Sequence, residues 1–450
     1  MKTIFISILS GVEAKDILRA NVVNWLLEAG HRVVLFLQSR KRAEFYQKEF
    51  QHPNLVYEAA GGFSLSRGDV LFEFIKKYLV RTETLFLHKK TNFLEDRNYF
   101  KYFGSLAMSF LLGRAFARKL ARFFDFRFVS NNSFEYVFAK HKPDLVFLGN
   151  LFDPMEIAIL RGAKKRNVKT IGFVNSWDKI TSKGHVRILP SKLIVTNEIV
   201  RGEAEKYLGI NEKDIFVSGV PQYDHYLNKP VSPREEFFKS IGADPKKELL
   251  VFAPLGSAWS DSDWDTIDLL WDLVQKRTFK KGLELLVRFP PNDFAHEENI
   301  KKRPYLRCDV PGTRFSTSLG MDWDMSSAEM DHLRNTLRHC SLLIGYSSSI
   351  GIDAAVFGKP IINVGFTVRE VKPGKKDPVV RYETAHYRKA LASGGIRLVK
   401  SKSELAEWIN KYLQNPEIDS EGRKRLVQEQ CYRADGKAGE RTANFLLENL

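Results

Sequence analysis

The chain has 450 residues, 44% of them hydrophobic and 28% charged, a globular composition long enough for two α/β domains. Its three cysteines, Cys308, Cys340 and Cys431, lie far apart, which excludes a disulfide scaffold and a cysteine zinc site and fits a reducing cytosol. The formal net charge is +16, and no apolar run reaches the ~18–20 residues of a spanning helix, so the protein is expected in the cytoplasm, soluble or peripheral on a membrane.

Thr3–Leu9 reads as a first strand and not as a signal peptide, because its apolar run is short and a helix pattern follows at once. Gly11 turns the chain. The helix is expected over Val12–Ala29, with Ile17, Leu18, Val22, Trp25 and Leu26 on one face and Gly30 ending it. Strands follow at Arg32–Leu37 and Asn54–Tyr57. The opening is Rossmann-like but lacks GxGxxG, so no dinucleotide cofactor is expected.

Between Lys76 and Arg127 stand 12 Lys/Arg against 4 Asp/Glu, so this window supplies +8, half of the total. Arg114, Arg118 and Arg122 recur every four residues and predict one basic stripe of a helix. Phe103, Leu106, Met108, Phe110, Leu111 and Leu112 add apolar surface beside it. Such a helix suits an anionic membrane surface, while a helix with its apolar face in the core would carry the same pattern. No DNA- or RNA-binding motif accompanies the patch, so nucleic acid is not expected as a partner.

Next come a helix over Ser133–His141, a strand at Asp144–Leu148, a helix over Pro154–Lys165 and a strand at Lys169–Phe173. The polar loop Val174–Gly184 leaves that strand at its carboxyl end, where open α/β sheets bind ligands. In it Asp178 follows Trp177. A carboxylate against an aromatic face suits a general base, although a turn-capping Asp beside a core Trp reads the same way. Lys179 and Lys183 stand where cations screen phosphate or face solvent. Lys192–Thr196 (strand), Glu198–Leu208 (helix) and Asp214–Val217 (strand) lead to SGVPQYDHY, read as a linker turn.

A second Rossmann-like set starts with the strand Leu249–Ala253. The Gly/Ser turn Pro254–Trp259 follows, with Gly256 and Ser257, then a helix over Trp264–Gln275. The strand Leu283–Val287 ends at Arg288, a guanidinium placed to clamp a diphosphate. Ser327–Arg338 is helical and leads into Leu342–Phe366, which reads strand, serine turn, helix, strand. Ser347, Ser348 and Ser349 stand where the helix begins, so free amides, the helix dipole and three hydroxyls converge on an anion. Asp353, one turn in, can accept from a ribose hydroxyl. A serine cap inside an ordinary βαβ unit has the same sequence pattern.

Two Rossmann-like halves, a linker and an anion turn in the second half describe the GT-B architecture. The sequence resembles the CDP-glycerol glycerophosphotransferase family and related cell-surface polysaccharide transferases. SWDKITSKG (176–184) stands where the family has a WHG-type segment. Residues 194–224 resemble its strand–helix–strand ending in a tGyPRnD-like turn. LLIGYSSSIGIDAAVFGKPII resembles its lITDYSS…D…KP motif, and DGKAGERTANFLL lies near the C-terminus. The resemblance implies that the third segment holds a donor nucleotide, with Ser347, Ser348 and Ser349 on phosphate and Asp353 on ribose. Both family histidines are missing: Asp178 stands at the first, and Phe289 and Pro290 follow Arg288 at the second. The third segment is also similar to the nucleotide site of UDP-GlcNAc 2-epimerase.

The expected protein is thus an α/β, GT-B enzyme with two Rossmann-like domains facing each other across a cleft. Residues 1–218 form the acceptor domain with its basic, aromatic insert at about 68–128, residues 219–430 the nucleotide-donor domain, and residues 431–450 a helix crossing back. The expected activity is transfer of a sugar from a nucleotide-sugar donor to a cell-surface polysaccharide or lipid-linked acceptor, without metal or cofactor, at the inner face of an anionic membrane. Catalysis is assigned to Asp178, Lys179 and Lys183, donor binding to Gly256, Ser257, Arg288, Ser347, Ser348, Ser349 and Asp353, and the acceptor side to Gly11 and Trp177. CDP-glycerol glycerophosphotransferase-type polymer synthesis, an epimerase on the same fold and a non-catalytic nucleotide-sugar binder are the alternatives.

Overall fold

A computed structural model describes residues 1–276, 279, 281–293, 296–316, 322–372 and 375–450. The chain forms two compact units, Met1–Leu227 with Cys431–Leu450, and Asn228–Gln430.

The first unit is built on seven parallel strands, β1 (Thr3–Ile8), β2 (Arg32–Leu37), β3 (Leu55–Ala59), β4 (Leu145–Leu148), β5 (Lys169–Val174), β6 (Lys192–Val195) and β7 (Ile215–Val217). Their order is β3-β2-β1-β4-β5-β6-β7. The strands are nearly continuous apolar runs because helices cover both faces of the sheet. Phe5, Val34, Phe36, Val146 and Leu148 meet Ile157 and Leu160 of the helix Pro154–Lys165 on one face. Ile4, Ile6, Val33, Leu35 and Phe147 meet Ile17, Leu26, Ala443 and Leu446 on the other. The helix expected over Val12–Ala29 is two, Gly11–Ile17 and Val22–Glu28. The break falls at Asn21, whose φ of 61° is left-handed, a conformation Asn tolerates better than most residues.

The segment read as a linker turn is instead a helix, Gln222–Asn228. Asp224 accepts from the amides of Ala438 and Gly439 at 3.0 and 2.6 Å, which ties this helix to the last one, Ala438–Glu448. The first unit therefore runs past residue 218 to Leu227.

The basic insert is four helices, Arg67–Ile75, Glu83–Asp96, Tyr99–Leu112 and Ala115–Phe128. Buried charge anchors its ends. Asp125 accepts from Arg161 Nη2 and Arg187 Nε, both at 2.7 Å, and Asp69 from Arg187 Nη2 at 2.9 Å. The arginine stripe does not face outward as the spacing predicts. Arg114 precedes the last helix as its N-cap, Arg118 and Arg122 are half-buried, and the outer face carries Phe116, Leu120, Phe123 and Phe128.

The second unit has six parallel strands, β8 (Glu248–Ala253), β9 (Leu283–Arg288), β10 (Arg307–Asp309), then, after a small antiparallel pair β11 (Thr313–Arg314) and β12 (Trp323–Asp324), β13 (Leu342–Gly345), β14 (Ile361–Val364) and β15 (Arg397–Val399). The order is β10-β9-β8-β13-β14-β15.

Candidate active site

Each sheet reverses its winding beside its first strand, between β1 and β4 in one unit and between β8 and β13 in the other. Loops diverge at the carboxyl ends of such strands and leave a crevice for ligands.

In the second unit two turns flank that crevice. Gly345 on β13 pairs with Ala253 on β8, so the turns beginning at Tyr346 and Pro254 leave the sheet at one level. Ser349 holds the N-cap position of the helix Ile350–Val356, but with helical dihedrals and no side-chain cap bond. The serine turn is therefore not an ordinary cap. The Ser347 hydroxyl is buried without a hydrogen-bond partner among the described residues. Beside it the Ser348, Gly351 and Ile352 amides donate to the Tyr346, Ser348 and Ser349 carbonyls at 2.8, 3.3 and 2.8 Å. Asp353 is buried in the first turn.

The facing turn differs from expectation. The Gly256 amide donates to Asp263 Oδ2 at 2.7 Å. Ser257 gives its amide and its hydroxyl to Asp293, the hydroxyl at 2.9 Å. Arg288 is buried in an ion pair with Asp309, which also lies 3.2 Å from His332 Nε2. Three carboxylates thus occupy the donors assigned to a diphosphate, and Gly256, Ser257 and Arg288 frame the crevice as they stand. Gly256 has φ 95°, and a Cβ there would lie 2.8 Å from Asp293 Oδ2. An exposed cation at this turn is Lys376, with Nζ donating to the Ser257 carbonyl at 2.7 Å. His296 stacks on Phe289, ring centroids 4.0 Å apart, with Nε2 3.1 Å from Asp293 Oδ2. An imidazole thus stands beside the segment whose own sequence has none. The Asp-x-x-His spacing after VRFPP was its only signal in the sequence.

In the first unit the crevice gathers carboxylates. Ser10 and Glu13 form a capping box at the start of the helix Gly11–Ile17, and Glu13 Oε2 accepts from the Ser10 amide at 2.6 Å. Glu13 Oε1 takes Asn175 Nδ2 at 3.4 Å. Glu156 accepts from the Ser7 hydroxyl at 2.9 Å and from the Asn150 amide at 2.7 Å. Gly149, just after β4, packs against this group, where a Cβ would sit 2.7 Å from Glu13 Cγ. Burial, with Glu13 and Asp153 as neighbours, pushes the Glu156 carboxyl well above the usual range. Burial also raises Asp153, and takes Asp16 up to about 7.

Lys179 is the counter-cation of this cluster. Its Nζ donates to Asn175 Oδ1, burial lowers its pKa, and Glu13, Asp178 and Glu156 oppose that drop. It faces carboxylates, contrary to the reading that set it to screen phosphate or face solvent. Lys183 is exposed, Gly11 is buried at the helix start, and Trp177 is half-buried. Asp178 is half-buried and accepts from the hydroxyls of Ser176 and Ser182, the latter at 3.2 Å. Glu13, Asp153, Glu156 and Asn175 were missed by sequence reasoning. Glu13 reads as half of a capping box, and Glu156 interrupts the apolar run PMEIAIL, the one signal that a buried acid stood there.

Two doubly wound parallel units, each with its crevice at the reversal, define the GT-B class of nucleotide-dependent enzymes. Solved structures of that class align over the whole chain. UDP-GlcNAc 2-epimerase from Neisseria meningitidis, bound to UDP-GlcNAc, matches with a TM-score of 0.55 at 12% identity, covering 100% of both chains. A glycosyltransferase from Rickettsia africae matches at 0.51 and 12%, covering 100% of this chain and 99% of that one. The wall teichoic acid polymerase TagF, soaked with CDPG, matches at 0.52 and 13%, covering 100% and 88%. At these identities the likeness is one of fold. No curated protein matches the chain. The family described as CDP-Glycerol:Poly(glycerophosphate) glycerophosphotransferase matches residues 44–448, and the chain belongs to it. That family is one of transferases.

Proposed function

We propose that this transferase moves a glycosyl unit from a nucleotide sugar to a cell-surface polysaccharide or lipid-linked acceptor. The reading rests on the exchange of imidazole for carboxylate that the resemblance implies, with Asp178 at the family's first histidine, and on its place next to Lys179, the cation of the Glu13 and Glu156 cluster. A carboxylate at that point takes the proton of an acceptor hydroxyl, whose oxygen then attacks the anomeric carbon. The bond from that carbon to the nucleoside diphosphate breaks, and the diphosphate leaves with the electron pair. The Ser347–Ser349 turn offers hydroxyl donors to the leaving charge, first the unpartnered Ser347 hydroxyl, with Asp353 toward the ribose. Lys376 adds an exposed cation beside Ser257.

Transfer of glycerophosphate from CDP-glycerol is the second reading, favoured by the family and by His296 in the donor unit beside Asp293 and Ser257. The test is a thermal-shift panel of UDP-, GDP-, CMP- and dTDP-sugars and CDP-glycerol. A ligand at ~100 times its Kd adds about 2.7 kcal/mol, enough to read directly. A shift with one nucleotide sugar, abolished by Ser348→Trp, is the expected result. A shift with CDP-glycerol alone sinks the sugar reading. Turnover of UDP-GlcNAc without acceptor would point to an isomerase.

The insert suggests the place of work. Phe100, 92% exposed, Phe103 and Phe116, 74% exposed, stand outward among Lys and Arg, and no helix of the described residues is long and apolar enough to cross a membrane. Aromatic side chains flanked by cations suit the interface of an anionic bilayer. Failure to sediment with anionic liposomes at low salt would refute this attachment.

A further inference from the structure

The helix Ala115–Phe128 turns two arginines inward, and one of them meets no anion. Arg122 Nε donates to the Val186 carbonyl at 3.2 Å, but Nη2 is buried with no acceptor among the described residues. His185, one residue before that carbonyl, is 1% exposed, and neither of its ring nitrogens has a partner. Its place is set by the backbone. Its amide donates to the Lys76 carbonyl at 3.0 Å, and Gly184, with φ 88°, packs so close that a Cβ would lie 2.8 Å from the same oxygen.

The nearby acids are engaged elsewhere. Asp125 and Asp69 serve Arg161 and Arg187, and Glu73 serves Arg187 and Lys76. Buried donors and a buried charge without partners are costly, and a protein keeps them where a ligand completes them. Burial, with Arg118 next in effect, takes the Arg122 guanidinium down to about 9. Burial followed by Arg122 and Arg118 holds His185 well below its usual range, so the ring is a neutral donor beside two cations.

We propose that Arg118, Arg122 and His185 form a binding site for a phosphoryl group, carried by a lipid headgroup at the surface that the exposed Phe123 and Phe128 of the same helix present. Arginine is the side chain suited to phosphate oxygens, and the neutral imidazole adds an N–H. Only the lipid source rests on the membrane reading above; the site stands on the three unpaired nitrogens.

The test uses the full chain, with vesicles of phosphatidylcholine alone, with phosphatidylserine and with phosphatidic acid, and inorganic phosphate in a melting assay. Wild type should prefer phosphatidic acid vesicles by on the order of tenfold, and inorganic phosphate should raise its melting temperature. Arg122→Met should lose both responses and yet melt above wild type in phosphate-free buffer, since the uncompensated charge is gone. If that variant fails to fold, Arg118→Gln at the half-buried edge should lose the same preference. Arg122→Met melting below wild type with both responses intact would overturn the site. A phosphate response with no vesicle preference would keep the site and overturn the lipid source. Loss of binding to all anionic vesicles with the phosphate response intact would sink the membrane reading alone.

Discussion

Asp16 gives the sharpest test of the buried acids in the first unit. It sits 3% exposed in the helix Gly11–Ile17, and its Oδ1 accepts from the Gln222 amide at 3.2 Å. Burial lifts its carboxyl from 3.8 to about 7, against the pull of Lys15 and of that amide. The sign follows from proton binding. As pH rises past 3.8 the unfolded chain gives up this proton, while the folded chain holds it until about 7. Stability from this group is therefore greatest below about pH 4, falls between pH 4 and 7, and is flat above. Three pH units at about 1.36 kcal/mol each give about 4 kcal/mol, and relaxation of the site brings the expected range to about 2–4 kcal/mol. Asn at this position keeps the carbonyl oxygen that accepts from Gln222 and carries no charge. Asp16→Asn should thus stabilise the protein by about 2–4 kcal/mol at pH 8 and by almost nothing at pH 3.5. Urea unfolding of both proteins across that pH range is the assay. Glu156 and Asp153 titrate with the same sign in both proteins, so the difference isolates Asp16. Two parallel stability profiles would show that Asp16 does not hold its proton in the folded state.

Three further outcomes are expected. Asp125→Asn strips the shared carboxylate from Arg161 and Arg187 and should cost about 3–5 kcal/mol by calorimetry, because it leaves buried guanidinium unpaired; a cost below 1 kcal/mol, within the range of a surface pair, would mean the network is solvated. Gly149→Ala drives a methyl into Glu13 and the Ser7 carbonyl and should lower stability by about 1–3 kcal/mol and turnover with it, whereas an unchanged melting curve would show that the carboxylate cluster can retreat. Asp178→Asn should reduce turnover by about 10²–10⁴-fold with donor affinity unchanged; full activity would remove Asp178 as the base.

The fold was legible because both sheets are parallel and covered on both faces. Runs such as Val33–Leu37 and Leu342–Gly345 carry no polar side chain, and Gly30 and Gly358 mark the helix stops with positive φ. The serine turn was legible for the same reason, since its position follows from strand–turn–helix order. What the spacing did not carry was pairing across the fold. Gly256, Ser257 and Arg288 look like phosphate ligands in isolation, and Asp263, Asp293 and Asp309 answer them from 7, 36 and 21 residues away. The carboxylates of the first unit hid for the opposite reason, each at a helix position where an acid is unremarkable. The break at Asn21 was invisible because the apolar period runs through it.

The helix Ala438–Glu448 has a consequence for how the protein is made. Its Ala443 and Leu446 complete one face of the β1–β7 sheet, Phe445 stacks on Phe216, and Lys2 bonds to the Leu450 carbonyl across 448 residues. On the ribosome all seven strands, and the helices Gly11–Ile17 and Val22–Glu28 that share this face, emerge long before the helix that completes it. Asn228–Gln430, continuous in sequence, can fold while the first-made unit still waits with an open apolar face. The seven strands are thus made before the helix that completes their cover, and the step most exposed to chaperones and to aggregation comes after Asn228–Gln430 has been made.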